Sequence, residues 1–326
     1  MGSNIQHQIK NLDDFLKNSK KDIEKKINDT ILDKKILSLL NNGKRLRPLV
    51  EILSFKTSTM GKEPSNLYQK ALEGTVCIEL AHNASLIFDD IIDNDKKRRG
   101  KTAFYIKEGL PNALLTGQKM LAIGLDIVQS HGEKIVKLYI STWKESLEGE
   151  LIEVDLNNKD KNNIKVEKSR KIKVYKEYEK IINMKTASLF ASASRAGAIE
   201  ANASDELVEI LTKFGREIGF GYQLADDLVD LENGEITNSV INPLLNRLGN
   251  KTVDENSMKI KSVKKIIEKN SEKIKEIYIK EIKKHLEKAE ELSKSKIIPQ
   301  SPYKKLLGKM PSHIIHNMLR ETNIIL

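Results

Sequence analysis

Apolar residues recur at intervals of three and four positions along most of the chain, which is the spacing of one face of an α-helix. Near the N-terminus, Ile9, Leu12, Phe15 and Leu16 follow this spacing. Strict alternation of apolar and polar residues, which would predict strands, is not sustained anywhere in the sequence. The pattern therefore predicts an all-α protein.

Short polar or glycine-containing breaks divide the pattern into segments. Helices are expected at 7–40 (one or two helices), 45–57, 68–93, 112–130, 134–156, 166–198, 205–232 and 256–294. The expected breaks are Asn41-Asn42-Gly43, the charged turn Asn94–Gly100, the polar run 157–163 and Gly249-Asn250. No shift of composition marks a boundary, so a single domain over residues 1–326 is expected.

The composition agrees with long helices in a reducing compartment. Seven prolines and 17 glycines in 326 residues are few, and one cysteine, Cys77, excludes an internal disulfide. No run approaches the ~18 apolar residues of a membrane span, and the N-terminus lacks the apolar core of a secretory signal. We expect a cytoplasmic protein without a membrane span.

The net charge of +10 raises the question of nucleic-acid binding. Most of the excess lysine lies in 259–284, where it alternates with isoleucine and glutamate at helical spacing, as on a solvated helix face. Nucleic-acid binding usually also requires aromatic stacking or a known module. The remaining positive charge lies beside carboxylate clusters, and this placement favours phosphorylated substrates over nucleic acid.

Two aspartate clusters share one spacing: Asp89-Asp90-Ile91-Ile92-Asp93 and Asp226-Asp227-Leu228-Val229-Asp230. On a helix, the first and last aspartates of each cluster share a face one turn apart, where like charges repel. A divalent cation would compensate, and magnesium binds one or two carboxylates together with substrate phosphates. By chance, one such motif occurs in roughly one chain in twenty and two in about one in a thousand.

Basic residues adjoin these carboxylates. Arg98-Arg99-Gly100 follows the first cluster, and Lys44-Arg45-Leu46-Arg47-Pro48 opens a predicted helix after a glycine. Arginine binds phosphate oxygens in a bidentate manner, and lysine adds a point charge. His82 lies seven residues before Asp89, two helical turns along the same face. Together these residues predict a site for diphosphates and magnesium.

The motifs, in this order, resemble those of the polyprenyl synthetase (isoprenyl diphosphate synthase) family. The likeness runs from about Gly43 to Asp230. It includes the family's Gly-Gly-Lys-Arg-Leu-Arg-Pro signature, present here as Asn42 to Pro48 with Asn42 in place of the first glycine. It also includes the first aspartate motif with Arg-Arg-Gly, Lys185-Thr186, and Gly221-Tyr222-Gln223 before the second aspartate motif. The resemblance implies one bundle of long antiparallel helices around a central substrate cavity, a homodimer, and a magnesium-dependent prenyltransferase. The family's lysine-containing loop after the second motif is missing, and whether Arg247 or Lys251 replaces it stays open.

The resemblance also implies roles for single residues. Asp89, Asp93, Asp226 and Asp230 would hold magnesium, three ions in all; Arg98, Lys185, Thr186 and Gln223 would contact the allylic diphosphate; and Lys44, Arg47, His82 and Arg99 would hold isopentenyl diphosphate. Asp89, Asp93, Asp226 and Lys185 would be the catalytic set. The allylic substrate would be dimethylallyl, geranyl or farnesyl diphosphate.

Product length would be set one turn before the first cluster. In this family, large aromatic residues there stop growth at 15 carbons, and here the residues are Ala84 and Ser85. We therefore expect a product of 20 carbons or more, with geranylgeranyl diphosphate as the best single candidate.

Two other functions stay open. Terpene cyclases share the fold and the first aspartate motif, but their second metal motif mixes Asn, Ser or Thr with Glu. A non-catalytic subunit of a heteromeric synthase would be expected to lose one aspartate cluster, and this chain keeps both.

Overall fold

The computed structural model describes residues 11–41, 43–98, 100–161, 177–233 and 269–320, together with 322, 324 and 326. Helices form nearly all the regular structure in these ranges. The strands found there, β1 (Lys97–Arg98) and β2 (Lys101–Thr102), make a short antiparallel hairpin. The predicted all-α fold class is confirmed.

Eleven named helices follow one another along the described ranges. In chain order they are α1 (Leu12–Thr30), α2 (Lys34–Leu40), α3 (Leu46–Thr59), α4 (Ser65–Ile92), α5 (Phe104–Glu108), α6 (Leu110–Gln129), α7 (Glu133–Lys161), α8 (Ser188–Glu200), α9 (Asp205–Glu232), α10 (Ser271–Ser293) and α11 (Pro302–Leu319). Residues 177–182 are also helical, and a π-helical turn, Asn183–Ala187, joins them to α8. None of the helices in these ranges is long and apolar enough to cross a membrane.

Most predicted helices agree with the structure to within a few residues, and 205–232 coincides with α9. One predicted break is wrong: residues 157–161 belong to α7, which continues to Lys161. This polar run contains neither glycine nor proline, and extending an existing helix adds a hydrogen bond for each residue that is fixed. Residues 162–163 and Gly249-Asn250 lie outside the described residues, as do 166–176 and 256–268 of two predicted helices.

The sequence analysis missed α5, the β1–β2 hairpin and α11. A signal for α11 was present, because Ser301-Pro302 has the form of a helix start with proline in the first turn. Apolar residues then follow at helical spacing and are buried: Leu306, Leu307, Met310, Ile314 and Ile315.

The described chain divides into two compact units. The first contains the described residues of 1–141, 192–212 and 295–307, and the second contains those of 142–191, 213–294 and 308–326. The expectation of a single domain stays a prediction.

In the first unit, α4 packs along α6. The ring of Phe88 fills the space beside Gly117, where an added Cβ would lie 2.6 Å from the ring. Eleven residues back along α4, Cys77 packs against Val128 of α6. The two pairs run in opposite directions along the sequence, so the helices are antiparallel. This contact fixes the C-terminal end of α4, which carries the first aspartate cluster.

In the second unit, α9 packs closely on the π-helical turn. A Cβ at Gly219 would lie 2.5 Å from the Cα of Ala187, so only glycine allows this approach. Two residues on, Gly221 lies against Ile315 of α11. These contacts fix the part of α9 that leads directly into the second aspartate cluster.

Candidate active site

The first aspartate cluster ends α4. Asp89 is half-buried, Asp90 is buried with 3% exposure, and Asp93 is exposed and caps the helix. Arg98 of β1 donates from Nε to Asp90 Oδ1 at 2.6 Å, and its Nη2 lies 2.5 Å from the same oxygen. Asp90 therefore ties the hairpin to α4, while Asp89 and Asp93 keep access to water.

The second cluster lies near the end of α9, and here too the middle aspartate is buried and the outer two are more exposed. Asp227 is buried, whereas Asp226 and Asp230 are half-buried. Gln223 Nε2 donates to Asp227 Oδ1 at 2.9 Å, and the Tyr178 hydroxyl donates to Oδ2. Burial raises the pKa of Asp227 to about 7; these two hydrogen bonds oppose the shift, and the charges of Asp226 and Asp230 add to it.

The outer carboxylates fit a magnesium ion. Each outer pair lies near a helix C-terminus, where the helix dipole already disfavours negative charge, so a cation would relieve the repulsion. Within the described ranges, no three His, Cys, Asp or Glu side chains converge as a preformed metal site. Magnesium often takes one or two carboxylates and completes its shell with water and substrate phosphate, which the two outer carboxylates of each cluster would allow.

Part of the predicted isopentenyl diphosphate site comes together in the first unit. Arg47 Nη1 lies 3.4 Å from Nε2 of His82, joining the start of α3 to α4. Lys44 is exposed just before α3. Arg99 lies outside the described residues, so its predicted role stays a prediction. Arg45, given no role by the sequence analysis, is fully buried.

Lys185 and Thr186 lie on the π-helical turn of the second unit. Such turns are rare and occur frequently at functional sites. Lys185 Nζ pairs with Glu150 and lies 2.5 Å from Oε2 of Glu153, both on α7. The sequence analysis missed these glutamates, because the contacts join residues more than 30 positions apart.

Thr186 links the turn to the second cluster. Its hydroxyl donates to Gln223 Oε1 at 2.6 Å, and Gln223 donates in turn to Asp227. Three of the residues predicted on the allylic side, Lys185, Thr186 and Gln223, therefore lie in one part of the second unit. Arg98 lies in the first unit on Asp90.

The two residues predicted to control product length differ in burial. Ala84 is fully buried, and Ser85 is half-buried, with its hydroxyl donating to the His82 carbonyl at 2.8 Å. A larger side chain at Ala84 must displace its neighbours, which is costly in a packed core. Ser85 is therefore the better position at which to test product length.

The sequence is similar to a known protein family and to characterised relatives. A sequence model described as "Polyprenyl synthetase" matches residues 29–278. A geranylgeranyl diphosphate synthase from Methanosarcina mazei is 35% identical over 195 residues, covering 58% of this chain and 55% of that protein. A nonaprenyl diphosphate synthase from Mycobacterium tuberculosis is 30% identical over 213 residues, covering 65% and 59%. The chain thus spans little more than half the length of these relatives.

The fold is shared with solved structures. A geranylgeranyl pyrophosphate synthetase from Pyrococcus horikoshii superposes with a TM-score of 0.74 at 23% identity, covering 93% of this chain and 98% of that one. At this identity the likeness establishes the fold.

Proposed function

Because the chain belongs to the polyprenyl synthetase family, we propose that it is a prenyltransferase that condenses an allylic diphosphate with isopentenyl diphosphate. One observation carries the proposal. Both aspartate clusters bury and hydrogen-bond their middle carboxylate and leave their outer carboxylates at least partly exposed. Two such pairs, with basic residues in both units, suit two diphosphate substrates.

The family is in general magnesium-dependent. Asp89 and Asp93 would hold ions at the first cluster and Asp226 and Asp230 at the second, three ions in all. Bound magnesium would supply positive charge for the diphosphate leaving group.

On the allylic side, Lys185, Thr186, Gln223 and Arg98 would bind the diphosphate. Thr186 and Gln223 share a hydrogen bond, which holds these two side chains next to each other. Lys185 would exchange a glutamate partner for a phosphate oxygen. The basic groups favour departure of pyrophosphate, because they stabilise the negative charge that develops as the allylic C–O bond breaks.

On the isopentenyl side, Lys44, Arg47, His82 and Arg99 would bind the second diphosphate. The isopentenyl double bond attacks the allylic carbocation and forms a carbon–carbon bond. A proton is then lost from the new adduct to the departing pyrophosphate. Apolar helix faces exclude water that would otherwise trap the cation.

We propose a product of 20 carbons or more, with geranylgeranyl diphosphate as the best single candidate. Ala84 and Ser85 are both small, and the half-buried Ser85 puts no bulky side chain one turn before the first cluster. The relatives carry names that range from geranylgeranyl to nonaprenyl diphosphate synthase, so the family alone does not fix the length.

We also propose a cytoplasmic homodimer. In the first unit, α6 exposes apolar side chains along one face, among them Leu114, Leu115 and Leu125. Gln118 and Ala122 lie between these leucines at steps of three or four positions, so the five residues form one stripe along α6. A second copy would cover this stripe. Equilibrium sedimentation of the wild type and of Leu115→Glu would test it, since the variant should shift toward monomer.

The activity is tested by incubating the purified chain alone with magnesium, an allylic diphosphate and labelled isopentenyl diphosphate. Label should enter longer acid-labile diphosphates, which chromatography of the dephosphorylated alcohols would size. A cyclic hydrocarbon formed without isopentenyl diphosphate would indicate a cyclase. Absence of turnover by this chain alone, with stimulation of a separate catalytic subunit, would indicate a non-catalytic subunit of a heteromeric synthase. Either result would overturn the proposal.

A further inference from the structure

Arg45 lies between two residues proposed to bind isopentenyl diphosphate, yet it differs from both in its burial. Its side chain is fully buried, whereas Lys44 is exposed and Arg47 is half-buried. Its backbone is left-handed, with φ 58 and ψ 29. That conformation is unfavourable for a non-glycine residue, so the surrounding contacts must hold it there.

The guanidinium of Arg45 joins three helices of the first unit. Its Nε donates to Glu24 Oε1 at 2.9 Å and its Nη2 to Glu24 Oε2 at 3.1 Å, a bidentate contact with α1. Nη1 donates to Glu79 on α4, and Nη2 also donates to the carbonyl of Leu40, the last residue of α2. We call this set, Arg45 with Glu24, Glu79 and the Leu40 carbonyl, the Arg45 brace.

The brace explains the glycine before it. A Cβ at Gly43 would overlap Arg45 Nη1 and lie 3.3 Å from Glu79 Oε2. Gly43 is therefore small because the chain passes directly over the ion pair. This constraint comes from the brace and is independent of any phosphate that the loop might contact.

The brace also reaches the proposed isopentenyl site. Glu79 lies three residues before His82 on α4, one helical turn away. Arg47, two residues after Arg45, places Nη1 3.4 Å from His82 Nε2. The same two elements, the start of α3 and the middle of α4, are thus joined twice, once by the brace and once by the Arg47–His82 contact.

A gain in the stability of the folded state does not explain the Arg45 brace. Burying an ion pair costs desolvation that its attraction often fails to recover, and apolar replacements are frequently neutral or stabilising. The left-handed backbone adds a further cost. What the brace does provide is a fixed orientation, because a planar guanidinium bound on several sides allows little movement.

We propose that Arg45 is the positioning residue of the isopentenyl diphosphate site, acting through Glu24 and Glu79 to place Lys44 and Arg47 opposite His82. This inference rests on the proposed function. Arg45 itself does not touch the substrate; it fixes the turn from which its neighbours reach it.

Steady-state kinetics of Arg45→Lys test the proposal. Lysine keeps the charge but cannot make the bidentate contact. The Michaelis constant for isopentenyl diphosphate should rise about tenfold or more, because a small displacement of binding groups is costly. The constant for the allylic diphosphate should stay close to that of the wild type. Arg195→Lys, a change at an exposed ion pair with Glu209 in the same unit, should alter neither constant.

A second variant, Glu24→Gln, tests the proposal even if Arg45→Lys does not fold. Glu24 is about one-third exposed, so Glu24→Gln weakens the brace at its edge and should give a smaller rise for isopentenyl diphosphate alone. In the double variant the effect should not exceed that of Arg45→Lys, because both changes act on one contact. If Arg45→Lys does not fold, Glu24→Gln decides.

Two outcomes would overturn the inference. One is a lowered melting temperature with unchanged Michaelis constants, which would make the brace purely structural. The other is an equal rise for both substrates. Failure of the proposed function is seen separately, because the wild type would then form no product in the same assay.

Discussion

The two aspartate clusters have the same sequence spacing, but different residues support them by binding the buried middle aspartate. In the first, buried Asp90 is bound by a cation, Arg98 of the hairpin that directly follows. In the second, buried Asp227 is bound by neutral groups, Tyr178 and Gln223, and its pKa is raised to about 7. A shared pattern of carboxylates therefore does not imply a shared electrostatic environment; the partners of the middle residue decide it.

The largest expected effect concerns what the clusters share. If the outer carboxylates of both hold magnesium, Asp89→Ala and Asp226→Ala should each lower kcat by roughly 10²–10³ or more, as loss of a major electrostatic group does. Turnover would be measured across a magnesium titration. Asp126→Ala, at an exposed position on α6, is the control. Near-normal turnover of either cluster variant at saturating magnesium would show that the two clusters do not act alike.

Glu51 is a further buried carboxyl. Unlike Asp90 and Asp227, it has no hydrogen-bond partner among the described residues. Burial, and secondarily the charge of Glu200, raises its pKa well above 4.5. The folded state therefore holds its proton at a pH where the unfolded state has lost it. Below about pH 4.5, Glu51 therefore causes no loss of stability. Above that pH the free energy of unfolding falls by roughly 1.4 kcal/mol per pH unit, until the pKa of Glu51 in the folded state is reached.

Glu51→Gln should remove this loss. Urea unfolding from pH 4.5 to 8 should show the variant gaining stability relative to the wild type as pH rises, with similar stabilities at pH 4.5. The exposed Glu276→Gln is the control. Parallel pH profiles for Glu51→Gln and the wild type would mean that Glu51 is ionised in the folded state.

The residues that support the two clusters should contribute unequally to the free energy of unfolding. Arg98→Met removes the cation from a buried carboxylate, but Arg98 is 36% exposed, so we expect a loss of about 1–3 kcal/mol rather than the full cost of breaking a buried pair. Tyr178→Phe removes one hydrogen bond and leaves Gln223 in place, which should cost about 1 kcal/mol. Urea unfolding at pH 7 measures both, and Lys101→Met on the same hairpin is the control for Arg98. Equal losses would remove the distinction between the two supports.

The smallest expected effect on rate concerns the residue four positions before each cluster. Before Asp89 it is Ser85; before Asp226 it is the aromatic Tyr222, which packs on Phe190 with ring centroids 5.3 Å apart. Ser85→Phe would make the first cluster resemble the second. Chromatography should show shorter products at comparable turnover, whereas Ala84→Phe, at a fully buried position, should mainly lower stability. An unchanged product profile for Ser85→Phe would place the end of the tail site elsewhere.

Much of the fold was predictable because helical periodicity is a local signal. The bounds of α9 coincide with the predicted 205–232, and the outer aspartates lie on shared helix faces as their spacing predicts. The polar run at 157–161 was wrongly predicted because a continuing helix overrode weak local preferences. The two-residue strands of the hairpin were too short to give a periodic signal.

The supports of the site were not predictable in the same way. Tyr178 meets Asp227 across 49 positions, and Arg45 meets Glu79 across 34. Nothing in the spacing of either pair indicates contact, since the packing of separate helices brings them together. In the sequence Arg45 also resembles Lys44 and Arg47, although Arg45 is buried, Arg47 is half-buried and Lys44 is exposed.

The π-helical turn at Asn183–Ala187 has a consequence for helical phase. An α-helix advances 100° per residue, and a π turn accommodates one extra residue locally. Residues before 183 and after 187 are therefore offset by about one residue's rotation relative to an uninterrupted α-helix. If these residues instead formed a regular α-helix of the same length, one flank would be turned by about 100° relative to the other. Lys185 and Thr186 could then no longer face Glu153 and Gln223 together, so the π-helical form of this segment, as much as its composition, sets the orientation of these side chains.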